Sequence, residues 1–213
     1  MWDRAPSDVI LCEGEVHVWR VALDLFSPES LTAELAPEEA GRNFHRQGDR
    51  DRFVVAHGAL RRVLSRYCGI APAAVRFLRA PRGKPRLNPE SDVRFNLSHS
   101  GGLALVAVAR RCEVGVDVER IRPIPDALQI ARRVLEREEA DALETLKPEQ
   151  RAEPFFVYWT RFEARLKAAG RGLGDEVVSE QWPVRDLDPG AGYAAALAAE
   201  CAPERVLTWE YAD

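Results

Sequence analysis

Lysine is scarce in this chain: only Lys84, Lys147 and Lys167 occur among the 30 basic residues, and the rest are arginine. That bias reads first as genomic base composition, and it makes each lysine worth inspecting. Cysteine is sparse and scattered (Cys12, Cys68, Cys112, Cys201), with no CxxC pair. Zinc-type spacing and a dense disulfide framework are therefore disfavoured, and reduced thiols in a cytoplasmic protein are the simpler expectation. The longest clean apolar run, Leu103 to Ala109, is far too short to cross a bilayer. The acidic opening MWDRAPSDVILCEGEVHVWR lacks the basic, apolar, small-residue order of a secretion signal. There is no excess of positive charge either. The net charge of −4 disfavours a general nucleic-acid surface, though not a local basic cleft.

What is present suits a compact globular protein. The 213 residues are 46% hydrophobic and 30% charged, which fits one domain or two small halves packed together. VHVWRVALDL (16–25) has the content of a strand, and a polar helix is expected within 28–43. From Asp49, apolar residues recur at Phe53, Ala56, Leu60, Val63, Leu64 and Tyr67, which predicts a helix stopped by Gly69. PRGKPRLNPE (81–90) reads as a loop; VRFNLSHS (93–100), LALVAVA (103–109) and EVGVDVERI (113–121) read as strands. A helix should start near Asp126, with Leu128, Ile130, Ala131, Val134 and Leu135 inward, and a second should run from Glu153 to Ala169 and stop at Gly170. YAAALAA (193–199) and RVLTWEY (205–211) suggest two more strands. Helices mix with hairpins without a repeating βαβ pattern, which predicts an α+β fold.

Four short segments carry chemistry. In Val114–Glu119 the strand period puts three valines on one face, and Asp117 and Glu119 on the other, roughly 7 Å apart. Such carboxylates suit a hard cation such as Mg²⁺, but taken alone the segment favours a solvated face paired with arginines, since most charged strand residues are exposed. On the helix, Phe155, Trp159, Phe162, Leu166 and Ala169 form a core stripe, while Thr160, Glu163, Lys167 and Gly170 form the neighbouring one. Glu163 and Lys167 could be a surface ion pair, or could present a carboxylate and an ammonium to one ligand. Ser98, His99 and Asp117 suggest a hydrolase triad, but adjacent strand residues face opposite ways, so Ser98 and His99 cannot easily bond as nucleophile and base. No GxSxG elbow is present. His99 is then an anion contact or a satisfied core histidine. Arg82-Gly83-Lys84-Pro85 is a stiff turn able to approach a phosphate, though it lacks the P-loop frame.

Taken in order, GKP (83–85), FNLSHS (95–100), GVDVE (115–119) and WTRFEARLKAAGRGL (159–173) resemble a 4′-phosphopantetheinyl transferase of the larger, monomeric, surfactin-synthetase-activating type. FHRQGDRDRFVVAHGALRRVL (44–64) resembles that family's N-terminal helix region. The resemblance covers about residues 42–173. It implies two similar α+β halves related by a pseudo-twofold, divided here at 1–112 and 113–213, with coenzyme A between them. It implies transfer of the phosphopantetheine arm of coenzyme A to a serine of an apo acyl or peptidyl carrier protein, with Mg²⁺, releasing 3′,5′-ADP. Neither nucleic acid nor membrane is an expected partner. By resemblance, Asp117, Glu119 and Glu163 match metal ligands, and Glu163 also the general base. Lys167, His99 and Ser98 match phosphate contacts, and Gly83, Lys84 and Pro85 match the loop beside the adenine. Arg52 and Arg42 match basic positions near the 3′-phosphate, and Glu139 loosely matches a further acidic position.

One residue departs from the pattern. The family usually has lysine immediately before the helix glutamate, and this chain has Phe162. A coenzyme A or carrier-binding homologue with weak or no turnover is therefore the alternative, and a Mg²⁺-dependent phosphohydrolase is a third.

Overall fold

A computed structural model describes residues 2–79, 83–172 and 182–212. Pro81, Arg82 and Leu173, quoted above, lie outside the described residues. In chain order the elements are β1 (Asp3–Arg4), β2 (Glu15–Ala22), α1 (Glu29–Thr32), α2 (Pro37–Ala40), α3 (Gln47–Cys68), β3 (Leu78–Arg79), β4 (Pro85–Arg86), β5 (Val93–Ser100), β6 (Leu103–Arg110), β7 (Val114–Arg120), α4 (Ala127–Val134), α5 (Arg137–Glu144), α6 (Ala152–Ala169), β8 (Val184–Leu187), β9 (Tyr193–Ala199) and β10 (Arg205–Glu210). Gly69 and Gly170 end the two long helices in the left-handed conformation, at φ 66° and 65°. Glycine adopts that conformation without the Cβ clash other residues suffer.

The described strands form a large sheet ordered β1-β10-β2-β6-β5, a smaller one ordered β7-β9-β8, and a short β3-β4 hairpin. This is the expected α+β architecture. One strand crosses the expected division at 112/113: β10 lies parallel to β2 inside the large sheet. The C-terminal half thus supplies a strand to the N-terminal half, a pairing that local sequence cannot reveal.

Strand alternation sorts the side chains into layers. Trp19, Val21, Phe95, Val106 and Val108 face α3 and pack with Val55, Leu60, Val63 and Leu64 in the largest core. The opposite face of the large sheet, with Val16, Val18, Leu105 and Ala107, packs on Val114, Val116 and Val118 of β7. The three valines do share one side. Gly115, Asp117 and Glu119 take the other, paired in register with Ala198, Ala196 and Ala194 of β9.

Helix α6 covers that small-residue face. Ala164 and Ala168 pack on Ala196 and Ala198. A Cβ on Gly115 would lie 2.1 Å from the Ala164 carbonyl oxygen, so only glycine fits there. The buried residues of α6 are Phe155, Phe156, Thr160, Ala164, Leu166 and Ala168; of the stripe expected from spacing, Phe155 and Leu166 are buried, while Trp159, Phe162 and Ala169 are only half-buried. Phe155, Phe156 and Trp159 pack beside α4 and α5, and Phe162 extends from Trp159 at a centroid distance of 6.1 Å.

The cysteines need a second correction. Cys112, after β6, and Cys201, after β9, form a disulfide between residues 89 apart in sequence. The sheet pairing brings them together, and sequence scatter gave no hint of it. Cys12 and Cys68 remain free thiols.

Candidate active site

The site lies where the edge of the small sheet meets the face of the large one. Side chains leave a sheet across its plane, whereas backbone N–H groups leave within it. On β5, alternate residues Asn96, Ser98 and Ser100 point at the open edge of β7. Asn96 Oδ1 accepts the Val116 N–H at 2.9 Å, Ser98 Oγ accepts the Val118 N–H at 3.3 Å, and Ser100 Oγ accepts the Arg120 N–H at 3.2 Å. These side chains satisfy donors that a neighbouring strand would otherwise take.

Between those contacts sit the two acidic side chains. Ser98 Oγ donates to Asp117 Oδ1 at 2.8 Å, and Ser100 Oγ donates to Glu119 Oε2 at 2.7 Å. From α6, the Lys167 ammonium donates to Asp117 Oδ1 at 2.6 Å and to Ser98 Oγ at 2.9 Å. Arg122 pairs with Glu119 at 3.3 Å. Asp117 is only 3% exposed, so the solvated-face reading fails for it. The close approach of α6 that Gly115 permits is what lets Lys167 reach this strand.

Two buried oxygens in this group have no partner: Asp117 Oδ2 and Glu163 Oε1. Burial pushes the Glu163 carboxyl above the usual carboxylate range, with Asp117 and Glu119 adding to the rise and Lys167 opposing it. A buried carboxylate oxygen without a donor is costly, and a cation relieves that cost. The donor set is all oxygen and carries excess negative charge, which fits a hard divalent ion. Among the described residues, no three acidic, histidine or cysteine side chains stand in an arrangement that could hold a metal ion as they are. The Lys167 ammonium occupies one Asp117 oxygen instead.

His99 faces the opposite way from Ser98, toward α3, as strand alternation requires. The hydrolase triad is thereby excluded by geometry. His99 is exposed to solvent, with protein packed around much of the ring. That surrounding protein, with His57, Lys167 and Arg42 as positive neighbours, lowers its pKa to about 4. Arg42 lies over the Phe53 ring at 4.9 Å, and His57 stacks on the same Phe53 at 3.9 Å. Arg42, His57 and Lys167 are thus the charged neighbours of His99, and Lys167 also reaches Asp117. Arg52 stands apart from the carboxylates and forms a two-pronged pair with Asp24 at 2.9 and 3.2 Å.

Two residues expected to contact a ligand bond within the protein in this structure. Lys84 is buried, and its three ammonium protons go to Glu113 at 2.7 Å, the Val114 carbonyl at 2.9 Å and the Ala168 carbonyl at 3.0 Å. It ties the start of β7 to the end of α6 and has no donor left for a nucleotide. Ser98 likewise uses its one donor and both acceptor positions internally, on Asp117, the Val118 N–H and Lys167. Gly83, at φ 87°, and Pro85, exposed on β4, leave the loop backbone beside Lys84. Glu139 reciprocates a helix cap on Glu136 and sits nearer Arg165 and Arg161 than the carboxylate pair. Sequence reasoning missed Asn96 and Ser100. The signal was there in their two-residue spacing about Ser98, but their target is a strand 20 residues away.

A mixed α+β fold thus carries a cluster of carboxylates with a lysine, and an arginine and two histidines on the neighbouring face. Comparison with known proteins is specific. Residues 113–211 match the 4′-phosphopantetheinyl transferase superfamily, and residues 19–111 match the 4′-phosphopantetheinyl transferase N-terminal region. The chain is 36% identical to the 4′-phosphopantetheinyl transferase HetI of Nostoc sp., over 99% of this chain and 98% of that protein. It is 26% identical to the 4′-phosphopantetheinyl transferase Sfp of Bacillus subtilis, over 87% and 92% of the two chains. An AcpT transferase of Escherichia coli is 38% identical over 46% of this chain and 50% of its own. The chain belongs to the 4′-phosphopantetheinyl transferase family.

Proposed function

We propose that this protein moves the phosphopantetheine arm of coenzyme A onto a serine hydroxyl of an apo acyl or peptidyl carrier protein and releases 3′,5′-ADP. The observation that carries the reading is the pair of unpartnered buried oxygens, Asp117 Oδ2 and Glu163 Oε1, beside Lys167. Asp117, Glu119 and Glu163 would hold Mg²⁺. The ion, when bound, supplies charge neutralisation at the pyrophosphate.

The chain's own residues supply the rest. The attacking alcohol is a weak nucleophile and needs a positioned base. Glu163, whose affinity for a proton is raised by burial, is the residue that takes the serine proton. Lys167 has a charge to offer the phosphates, at the cost of its contact with Asp117. His99, Arg42 and His57 line the anion-binding side, and Arg52 reaches the 3′-phosphate by exchanging Asp24 for it. Phe162 leaves one fewer charge near the phosphates than the family pattern has, so the rate is lower rather than absent.

The test is intact-protein mass spectrometry of a panel of apo carriers incubated with coenzyme A, Mg²⁺ and the protein, with Glu163→Ala alongside. A gain of one phosphopantetheine on a carrier, absent with the variant, is the expected result. Coenzyme A bound with no carrier modified would select the binding homologue and implicate Phe162. Loss of coenzyme A without any carrier present would select a phosphohydrolase.

A further inference from the structure

The contacts between β5 and β7 do more than join two sheets. Asn96, Ser98 and Ser100 repeat every second residue, and each accepts one N–H of every second residue on β7. The lower two rungs differ from the first. Ser98 and Ser100 carry a hydroxyl proton, and each donates it to the acidic side chain that lies between successive β7 contacts, at 2.8 and 2.7 Å. Asn96 has no such carboxylate to serve, because the residue preceding its partner on β7 is Gly115.

We propose that Ser100, together with Ser98, is a positioning residue: the side-chain ladder that substitutes for a missing strand also fixes the rotamers of Glu119 and Asp117. A hydroxyl that accepts a backbone N–H has its orientation set by the strand, so its own proton can point in few directions. The carboxylate that receives this proton is fixed in turn. For Asp117 the consequence is visible: Oδ1 is held by Ser98 and Lys167, and Oδ2 is left buried and unpartnered. For Glu119, Oε2 is held by Ser100 and Arg122. The catalytic-side geometry is therefore built from the opposite half of the molecule. Groups that orient metal-binding carboxylates in this way alter metal affinity by about 10–100-fold when removed.

The inference rests on the metal role proposed for these carboxylates, and the test separates the two. Wild type, Ser100→Ala, Ser100→Thr and Asn96→Ala are titrated with Mn²⁺ in the presence of coenzyme A, and free Mn²⁺ is counted by electron paramagnetic resonance. Thermal unfolding without metal, and the Mg²⁺ dependence of transfer, are measured beside it. Ser100→Ala should weaken Mn²⁺ binding about tenfold, and shift the Mg²⁺ dependence equally, with KM for the carrier unchanged. Ser100→Thr, which keeps the hydroxyl, should restore both. Asn96→Ala should lower the unfolding temperature and leave metal affinity alone. The ladder is only a structural joint if Ser100→Ala and Asn96→Ala lower stability alike and neither shifts metal affinity; wild type binding no Mn²⁺ also overturns the proposal. Failure of the transferase reading has a different signature: no carrier modified by wild type, while the Ser100→Ala shift in Mn²⁺ affinity persists and supports the ladder.

Discussion

The two long helices pack on their sheets by opposite means. Helix α3 meets the large sheet through bulky side chains such as Leu60, Leu64, Trp19 and Phe95. Helix α6 meets the small sheet through Gly115 and a set of alanines. Bulky contacts bury much apolar area, worth about 25 cal/mol per Å². Small contacts bury less but bring backbones close. The first arrangement serves stability, and the second serves reach: it places a lysine on α6 within 2.6 Å of an aspartate on β7. A site that needs short distances between charged groups is built where the packing is thin.

Gly115→Ala tests this division most severely. The added methyl meets the Ala164 carbonyl oxygen and the Ala168 backbone nitrogen, neither of which is the tip of a flexible side chain. A loss of about 3 kcal/mol or more is expected in urea unfolding, with transfer activity abolished. An active, fully stable Gly115→Ala protein would break the comparison.

Lys84→Met comes next. It leaves the Val114 and Ala168 carbonyls without their donor, while Glu113 keeps Arg86 at 2.8 Å and Arg94 at 3.1 Å. The expected cost is about 2–3 kcal/mol. Calorimetry of the folded variant should find coenzyme A affinity within about threefold of wild type, a change of under about 0.7 kcal/mol. A large affinity loss at unchanged stability would restore the nucleotide role for this lysine.

The large half has its own polar cluster, and it sharpens the contrast. Burial alone would raise the Glu39 carboxyl, but hydrogen bonds from His57 and the Ala36 N–H, with the Arg61 charge, hold it at about 2. A carboxyl depressed in the folded state stabilises above its unfolded pKa, here 4.5, and loses that contribution as pH falls toward 2. Glu39→Gln should therefore cost about 2–3 kcal/mol at neutral pH, and the difference from wild type should shrink through that acid window. Thermal unfolding across pH measures it, and a constant difference would refute the linkage.

The smallest effect is expected at Phe162. Phe162→Lys restores a charge at a half-buried position beside Trp159. Turnover with coenzyme A should rise by about two- to fivefold, equivalent to about 0.4–1 kcal/mol of transition-state stabilisation. Unchanged turnover would show that this position does not limit the rate.

Much of the fold was legible because its signals are local. The apolar spacing from Phe53 to Tyr67 marks α3, the glycines at 69 and 170 mark both helix ends, and the alternation around Asp117 sorted valines from carboxylates. The unreadable features depend on distant partners. Nothing near residue 205 says that β10 will lie between β1 and β2, and nothing near Cys112 points to Cys201. At the site, residue types were legible and their allegiances were not. Ser98 and Lys84 carry the right chemistry for phosphate contact, but burial commits their hydrogen bonds to the protein itself.

The placement of β10 has a consequence for biosynthesis. Strand β2 is made early, yet one of its edges is covered only when residues 205–210 arrive, after every other strand of both sheets has been synthesised. Until then β2 offers an open row of backbone donors and acceptors, flanked by Val16, Val18 and Trp19, to any other extended chain nearby. The nascent protein therefore spends most of its synthesis with its large sheet unfinished.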